Sequence, residues 1–450
     1  MSGISSWPRI LAVCLGLMVA SATLPTGAAA ANDNPVGHAM APAVGASAEF
    51  RSLGNFDDAS SPLFLCQRTV PPRCFGPAQL RAAYGIQPLL DAGITGAGRT
   101  IVLVDAYQSP TIQKDLAAFD AIWGLPAPPS FNIVHPFGLT RFDVHDGTQV
   151  GWSLEISIDV EWAHAIAPGA GIVVVLARSG SDVDLLRATA YAVQHRLSGS
   201  AGSLGDVIAQ SFGEAEQCAP ERVIDQLHSV FETAADKGIT VLAASGDQGA
   251  AQRSCDGSTL LRSRAVATPA SDPGVTAVGG TSLQANGITG AYGFEAAWNG
   301  SGGGFSTLFE RPAYQASLHI EREGRGLPDV AYDADGLTGA IIAWSVLAPP
   351  NRVGLGVVGG TSIGTPQWAA IAALADQKAG RRLGALNQAL YRIGRGPSRS
   401  TAFHDVTTGN NTFGGIAGFA AKPGWDAVTG LGTPNADILV PLLSRMGEDG

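Results

Sequence analysis

One stretch organises the rest of this chain: Gly359-Gly360-Thr361-Ser362-Ile363-Gly364-Thr365-Pro366, followed by the run Gln367-Trp368-Ala369-Ala370-Ile371-Ala372-Ala373-Leu374. Small residues flank Ser362, so the backbone can turn tightly and leave its hydroxyl accessible. Pro366 suits the first turn of a helix, which the apolar run continues into a core. At a helix N-terminus, free N–H groups and the dipole favour negative charge. The stretch therefore predicts a nucleophile whose reaction creates an oxyanion. The alternative is a serine or threonine that only caps the helix.

The composition is that of a large α/β protein. The chain has 450 residues, of which 45% are hydrophobic and 15% are charged, and 58 are glycines. A chain of this length and hydrophobic content can bury a large core, in one large domain or two. The many glycines and few charges indicate a tightly packed α/β protein with many loops. The formal net charge of −10 argues against nucleic acid or an anionic membrane as a partner.

Residues 1–31 are predicted to be a secretory signal peptide. Arg9 supplies positive charge, residues 10–20 form an apolar run, and residues 27–31 offer small residues suited to cleavage. The apolar run is too short to span a membrane comfortably, and no other segment of the sequence could do so. We therefore expect a secreted, extracellular protein with no membrane partner once the signal is removed.

Four cysteines remain after the signal peptide: Cys66, Cys74, Cys218 and Cys255. An even number in an exported chain suggests two disulfides, for which three pairings are possible. The most local pairing joins Cys66 to Cys74 and Cys218 to Cys255. The spacings do not fit a zinc site.

Buried strands alternate with helical patterns along the chain. Apolar runs predict strands at residues 100–105, 171–176, 207–211 and 240–244. Helices are predicted at residues 77–84, 182–196 and 221–237. This alternation predicts an α/β fold in which a parallel sheet carries helices on both faces. We expect residues 32–75 to be a mobile N-terminal segment and residues 76–445 to be a single large domain.

A second informative stretch runs from Trp152 to Trp162. Its polar and apolar residues alternate, which taken alone favours a half-buried strand. As a helix, it would place Glu155 and Asp159 four residues apart on one face, close enough to share a proton. Two adjacent carboxyl groups cannot easily both ionise, so one pKa rises. The alternative is an ordinary solvated helix face.

Several motifs in order resemble those of the sedolisins, the serine-carboxyl peptidases that keep a subtilisin-like fold. The stretch around Ser362 is similar to the G-T-S-x-x-x-P serine motif of such folds. Other similar segments are Ala167-Pro168-Gly169-Ala170, Ser211-Phe212-Gly213, Ser245-Gly246-Asp247-Gln248-Gly249, Ser301 to Ser306 and Gly326 to Ala331. The resemblance covers roughly residues 77–443 and implies a subtilisin-like parallel sheet flanked by helices on both faces.

The resemblance also implies a catalytic role for four residues. Ser362 would be the nucleophile and Glu155 the general base that takes its proton. Asp159 would orient Glu155 and share its proton, and a protonated Asp247 would donate a hydrogen bond to the oxyanion. A carboxylate base and a carboxylic-acid donor coexist most easily at low pH. The implied activity is that of an endopeptidase acting on peptides or proteins at acidic pH, as a monomer.

A structural calcium ion is implied near the C-terminus. Asp405 and Asp426 would provide carboxylates, and Val406, Lys422 and Gly424 backbone oxygens, which suit a hard cation. The family has glycine where Lys422 stands, and a glycine-only backbone angle would be strained in a lysine. The family also has a long folded prodomain, for which we expect no counterpart in residues 32–74.

Two rival hypotheses remain. His145-Asp146-Gly147-Thr148 resembles the H-G-T-H motif of subtilisins, and with Asp105 it suggests a Ser-His-Asp triad. However, His145 precedes the candidate helix, and Gln149 replaces the second histidine. The other rival is an inactive exported relative that only binds peptides, although an inactive site has no physical need for all four of the residues named above.

Overall fold

Strands and helices alternate along most of the chain, as the hydrophobic pattern predicts. The structure, a computed structural model, describes residues 41–42, 50–56, 63–195, 204–316 and 322–446. The predicted signal peptide therefore lies outside the described residues. The helices found there are α1 (Leu65–Arg68), α2 (Pro77–Ala83), α3 (Gln87–Asp91), α4 (Ile112–Trp123), α5 (Gly147–Ile166), α6 (Asp182–Gln194), α7 (Glu221–Asp236), α8 (Thr361–Ala379), α9 (Asn387–Arg395), α10 (Arg399–Ala402) and α11 (Ala436–Arg445).

The strands of the described residues vary from two to ten residues in length. They are β1 (Ala41–Pro42), β2 (Arg51–Phe56), β3 (Thr100–Ala106), β4 (Phe131–Val134), β5 (Gly171–Ala177), β6 (Val207–Gln210), β7 (Phe212–Ala215), β8 (Thr240–Ala244), β9 (Ala267–Thr268), β10 (Thr276–Ala285), β11 (Tyr292–Ala297), β12 (Gly304–Phe305), β13 (Gly326–Leu327), β14 (Val330–Asp333), β15 (Ala340–Ala343), β16 (Val353–Val358), β17 (Phe403–His404) and β18 (Thr433–Pro434).

An eight-stranded sheet forms the centre of the fold. Its order is β11-β10-β8-β6-β3-β5-β4, and β14 also pairs with β10. All of these pairings are parallel except that of β11, which runs antiparallel along β10. The predicted parallel α/β sheet is therefore confirmed. Residues 37–450 form one compact unit, in agreement with the single large domain.

Helices cover both faces of this sheet because its central strands are apolar on both sides. Ile101 and Leu103 of β3 pack into the hydrophobic cluster that contains α5 and α8. The alternate residues Val102 and Val104 pack into the second cluster, which contains α6 and α7. Side chains of a strand point to opposite faces in turn, so each strand serves both clusters. None of the described helices is long and apolar enough to cross a bilayer.

The stretch from Trp152 to Trp162 belongs to α5, which confirms the helical interpretation over the strand that its alternation alone favours. Its polar residues alternate because several of them are buried acids, and not because one face meets water. Helix α8 begins at Thr361, so Pro366 lies inside the helix and not in its first turn. A proline there has no N–H to donate to the Ser362 carbonyl, one turn earlier.

Part of the N-terminal segment has structure that the sequence does not predict. Residues 32–75 were expected to be mobile, but Arg51–Phe56 form β2, which pairs with β16. The Phe50 ring packs edge-on against Trp344, with ring centroids 5.2 Å apart. Backbone pairing and aromatic packing give this segment the contacts that its composition does not predict. The disulfides join Cys66 to Cys74 and Cys218 to Cys255, the most local pairing.

Candidate active site

The candidate nucleophile lies in the first turn of α8. The helix is preceded by Gly360, whose φ of 121° is in a region that favours glycine. Ser362 is the second residue of the helix and is buried. Its own N–H is among the first-turn donors that no carbonyl of the same helix can satisfy. The prediction of a serine at a helix N-terminus is confirmed.

Helix α5 brings two acidic side chains to α8. Asp146 caps α5 by accepting hydrogen bonds from the N–H groups of Thr148 (2.9 Å) and Gln149 (3.4 Å). The helix packs along α8, and Glu155 and Asp159 on it are 1% and 0% exposed. These carboxyl groups therefore lie in the protein interior. The alternative hypothesis, in which they lie on a solvated helix face, is wrong.

Glu155 is the carboxyl group next to the serine. Burial raises its pKa well above the ordinary value, and the charges of Asp159 and Asp105 raise it further. The Ser362 hydroxyl lies close enough to oppose this rise, although among the described residues neither Ser362 Oγ nor the Glu155 oxygens reach hydrogen-bonding geometry. Catalytic hydrogen bonds are often longer without substrate than with it.

Asp159 is held in place by a neighbouring serine. Ser211, between β6 and β7, donates a hydrogen bond of 2.6 Å from its hydroxyl to Asp159 Oδ1. Burial raises the pKa of Asp159 well above its ordinary value, the charge of Asp105 adds to the rise, and the Ser211 bond opposes it. Since Glu155 and Asp159 both resist ionisation, the pair can hold a proton between them.

A third carboxyl group, Asp105, joins this pair. It lies in β3, beside Leu176 of β5, and is fully buried. Burial raises its pKa to about 7, and neither of its oxygens has a hydrogen-bond partner among the described residues. In the sequence, Asp105 is only an acid that ends an apolar strand, and its one predicted role is in a triad with His145. Its proximity to Glu155 and Asp159 depends on packing that the sequence does not reveal.

Asp247 is hydrogen-bonded to Thr361, the residue that precedes the serine. Its Oδ1 accepts hydrogen bonds from the Thr361 N–H (2.8 Å) and the Thr361 hydroxyl (2.9 Å). The Gly246 N–H in turn donates to Thr361 Oγ1 at 3.2 Å. These bonds join the segment after β8 to the start of α8, so the structure brings Asp247 together with Ser362.

His145 is not brought into this group of buried residues. It is exposed and lies before α5, where its N–H donates to Asp143 Oδ1 at 2.9 Å. An exposed imidazole in this turn gives no support to the predicted Ser-His-Asp alternative.

The predicted calcium ligands lie in a loop near the C-terminus. Asp426 Oδ2 accepts a hydrogen bond from the Lys422 N–H, and Asp405 Oδ2 accepts one from the Gly424 N–H, each at 3.1 Å. Among the described residues, Tyr107 and Asn351 are the only non-glycine residues with a positive φ. Lys422 is therefore not in a conformation that favours glycine. The lysine is therefore unstrained, and both carboxylates lie against the loop whose carbonyls were predicted as ligands.

The described residues contain no cluster of three or more histidine, cysteine, aspartate or glutamate side chains suited to a metal. A site at this loop would depend on two carboxylates and on backbone oxygens. Hard cations accept such a donor set.

Comparisons with known proteins agree with this geometry. The sequence profile described as Subtilase family matches residues 149–389. Kumamolisin of Bacillus sp. (strain MN-32) is 33% identical over 401 residues, covering 85% of this chain and 65% of the relative. Human tripeptidyl-peptidase 1 is 35% identical over 271 residues, which cover 54% of this chain and 44% of the relative. The chain thus spans 65% or less of the length of these two relatives.

A solved structure is similar over nearly its whole length. It is Pseudomonas sedolisin, a serine-carboxyl proteinase, with 28% sequence identity and a TM-score of 0.69. The similarity covers 83% of this chain and 99% of that one. The fold, the profile match and these relatives agree with the buried serine and carboxyl groups, and the chain belongs to the sedolisins within the subtilase family.

Proposed function

We propose that this protein is a serine-carboxyl endopeptidase that hydrolyses peptide bonds at acidic pH. The observation that carries the proposal is the grouping of one helix-terminal serine with buried carboxyl groups, which among the described residues includes no imidazole. Ser362 is the nucleophile, Glu155 the general base, Asp159 its proton-sharing partner and Asp247 the donor to the oxyanion. This assignment gives each group a role that its surroundings support.

The reaction proceeds in two halves. Ser362 Oγ attacks the carbonyl carbon of the peptide bond while its proton passes to Glu155. The oxyanion is stabilised by the Ser362 N–H and by the carboxylic acid of Asp247. Glu155 then gives the proton to the departing amine, which leaves an acyl-enzyme. Water then attacks the ester carbonyl while Glu155 takes a proton from the water. Glu155 gives that proton to Ser362 Oγ as the ester bond breaks, which releases the acid product and restores the serine hydroxyl.

Asp159 makes this proton transfer possible. A buried Glu155 with a raised pKa would hold its own proton and could not act as a base. Because the two carboxyl groups share a proton, it can reside on Asp159 while Glu155 accepts from the serine. The 2.6 Å bond from Ser211 keeps the Asp159 carboxyl in position.

Strand β7 is suited to hold an extended peptide substrate. It follows Ser211 directly, and β9 pairs only with Glu214 and Ala215 on it. Its first half pairs antiparallel with the backbone of Ala41–Pro42, which also lies against α5. An edge that accepts a segment of its own chain offers the same main-chain hydrogen bonds to a peptide.

We further propose that the protein is exported and works as a monomer. The two disulfides fit an oxidising compartment, and residues 1–31 have the pattern of a signal peptide. The proposed catalytic groups all come from one chain, so the site needs no second copy. The remaining boundary, a peptidase domain at residues 76–445, stays a prediction.

A structural calcium ion at the C-terminal loop is also part of the proposal. The carboxylates of Asp405 and Asp426 would hold it, together with the carbonyl oxygens of Val406, Lys422 and Gly424. Bound there, the ion would crosslink the chain around β17 to the loop before α11, and its contribution would be to stability.

Peptide hydrolysis measured across pH tests the proposed function. With an unstructured protein as substrate, we expect internal cleavage that is fastest below neutral pH and declines as the Glu155–Asp159 pair loses its shared proton. The Ser362→Ala variant, with the same melting temperature, should have no activity. Hydrolysis fastest at alkaline pH, or none at any pH from folded protein, would refute the proposal.

A further inference from the structure

An arginine side chain lies beside the loop assigned to calcium. Arg399, the first residue of α10, places Nη2 at 2.9 Å from Asp405 Oδ1. Its Nη1 is 3.9 Å from the position that a Cβ on Gly424 would occupy. The guanidinium thus lies between two of the five residues proposed as calcium ligands.

The carboxylates of this loop already have polar partners, an ion pair at Asp405 Oδ1 and backbone N–H groups at the other three oxygens. Asp405 Oδ1 faces Arg399, and Asp405 Oδ2 accepts from the Gly424 N–H. Asp426 Oδ1 accepts from the N–H groups of Val428 and Thr429, each at 2.9 Å, and Oδ2 from that of Lys422. Asp405 Oδ1, a proposed calcium ligand, is therefore already paired with a positive charge.

The charge balance of the loop points the same way. When both are ionised, Asp405 and Asp426 contribute two negative charges, and Arg399 and Lys422 contribute two positive ones, although the Lys422 side chain is exposed. The formal sum is zero before any metal binds. A divalent cation that binds this neutral loop must therefore displace the Arg399 guanidinium from Asp405. If it does not, the cation and the guanidinium lie close together and repel each other. Calcium affinity generally follows the charge count of the ligands.

We propose that Arg399 is a built-in competitor of calcium, which neutralises Asp405 in the metal-free protein and weakens metal binding. This inference rests on the proposed calcium site, and it is independent of the catalytic assignment. Arg399 stabilises the metal-free loop by pairing with Asp405. The calcium affinity is then lower than two carboxylates and three carbonyls would otherwise give.

Calcium titration of the Arg399→Gln variant tests this proposal. Glutamine keeps a polar side chain of similar reach without the charge. Both proteins carry Ser362→Ala to prevent self-digestion, and they are stripped of metal before calorimetric titration with Ca²⁺ and thermal unfolding. We expect the Kd for Ca²⁺ to be at least tenfold lower in Arg399→Gln. Without metal this variant should melt below its parent, and at saturating calcium it should gain more than its parent does.

Three controls make the result specific. Arg392→Gln removes one exposed charge from α9 and should leave the Kd unchanged. Asp426→Ala should abolish binding in both backgrounds, which locates the metal in this loop. If Arg399→Gln does not fold, Arg399→Lys, which keeps the charge on a compact group without the planar fork, should bind calcium more tightly than the parent does.

The outcomes separate the two proposals. An equal or higher Kd in Arg399→Gln, or no calcium binding in either protein, overturns the competitor role. Binding by Arg399→Gln alone supports it strongly. Peptide hydrolysis by the Ser362-containing protein is measured separately, so its presence or absence bears only on the peptidase proposal.

Discussion

At the scale of single residues, the central feature is a set of neighbouring buried acids. The pKa values of Glu155, Asp159 and Asp105 are all raised, first by burial. The charges of Asp159 and Asp105 raise the pKa of Glu155 further, and the charge of Asp105 raises that of Asp159. Among the described residues, no lysine, arginine or histidine is a principal cause of these shifts. Such a group holds protons far above the pH at which free carboxyl groups lose them. A site of this kind can run acid–base chemistry without an imidazole.

The Asp105→Asn variant should narrow the pH range of activity. An ionised Asp105 raises the pKa of Asp159, and Asp105 itself has a pKa of about 7. Removing its charge should move the alkaline limb of the kcat profile down by about one pH unit. The acidic limb should not move, because Asp105 is protonated there.

The matched control for this variant is Asp91→Asn, an exposed aspartate on α3, which should leave both limbs in place. A uniform loss of kcat at every pH, with the alkaline limb unmoved, would mean that Asp105 has only a structural role.

At the scale of elements, helix α8 must approach the sheet closely to place Ser362. Gly364 permits this approach, because a Cβ there would lie 2.6 Å from Tyr332 Cβ and 3.1 Å from Val278 Cγ1. The Trp368 indole N–H donates to the Ala331 carbonyl at 2.9 Å and fixes the next turn. The position of the nucleophile is therefore set by helix–sheet packing as well as by the Asp247 bonds.

The Gly364→Ala variant should be both less stable and less active. The added methyl group overpacks the interface with β14 and β10, which we expect to cost about 1–3 kcal/mol of unfolding free energy. It should also displace Ser362 and lower kcat. Gly147→Ala is the matched control, since that glycine also lies in a helix but has no atom within 4 Å of its added Cβ. Equal melting temperatures and kcat for the two variants would show that α8 is not held this closely.

The sequence predicts many of the helices and strands, but not which of them pack or pair with one another. The strands at residues 100–105 and 240–244 and the helices starting at 182 and 221 follow from hydrophobic period alone, because their burial is regular. The stretch around Glu155 does not follow that period, since buried acids interrupt the apolar face of α5. Residues 51–56 have no signal of their own and become a strand only through pairing with β16.

The site shows the same division between local and tertiary information. Ser362, Asp159, Glu155 and Asp247 can be selected from motifs, since each lies in a recognisable segment. The part played by Asp105, the Ser211 bond and the position of Arg399 beside Asp405 depend on residues far apart in the chain. These contacts are set by tertiary packing, and no local pattern encodes them.

At the scale of the whole molecule, buried acids should make this protein most stable at acidic pH. The pKa values of Glu155, Asp159, Glu161 and Asp333 are raised well above their ordinary values by burial, and that of Asp376 rises to about 7. The folded state thus binds more protons than the unfolded chain does above about pH 4. The free energy of unfolding must then fall as pH rises.

Thermal unfolding across pH measures this effect. For the Ser362→Ala variant, we expect the melting temperature to be highest near pH 4, where unfolded carboxyl groups begin to ionise, and to fall progressively toward pH 8. Asp146, whose pKa is lowered by its capping bonds, acts below this window and does not oppose the trend. A melting temperature that is constant or rises between pH 4 and pH 8 would contradict it.

The most direct test of the proposed mechanism compares two variants, one of the proposed base and one of its rival. Glu155→Gln keeps the shape of the side chain but cannot accept the Ser362 proton, so kcat should fall roughly 100- to 10,000-fold. His145→Ala removes an exposed imidazole and should leave kcat within about twofold of the parent. Circular dichroism and melting temperature must first show that both variants are folded. If His145→Ala abolishes turnover while Glu155→Gln retains most of it, the carboxylate is not the base and the central claim is wrong.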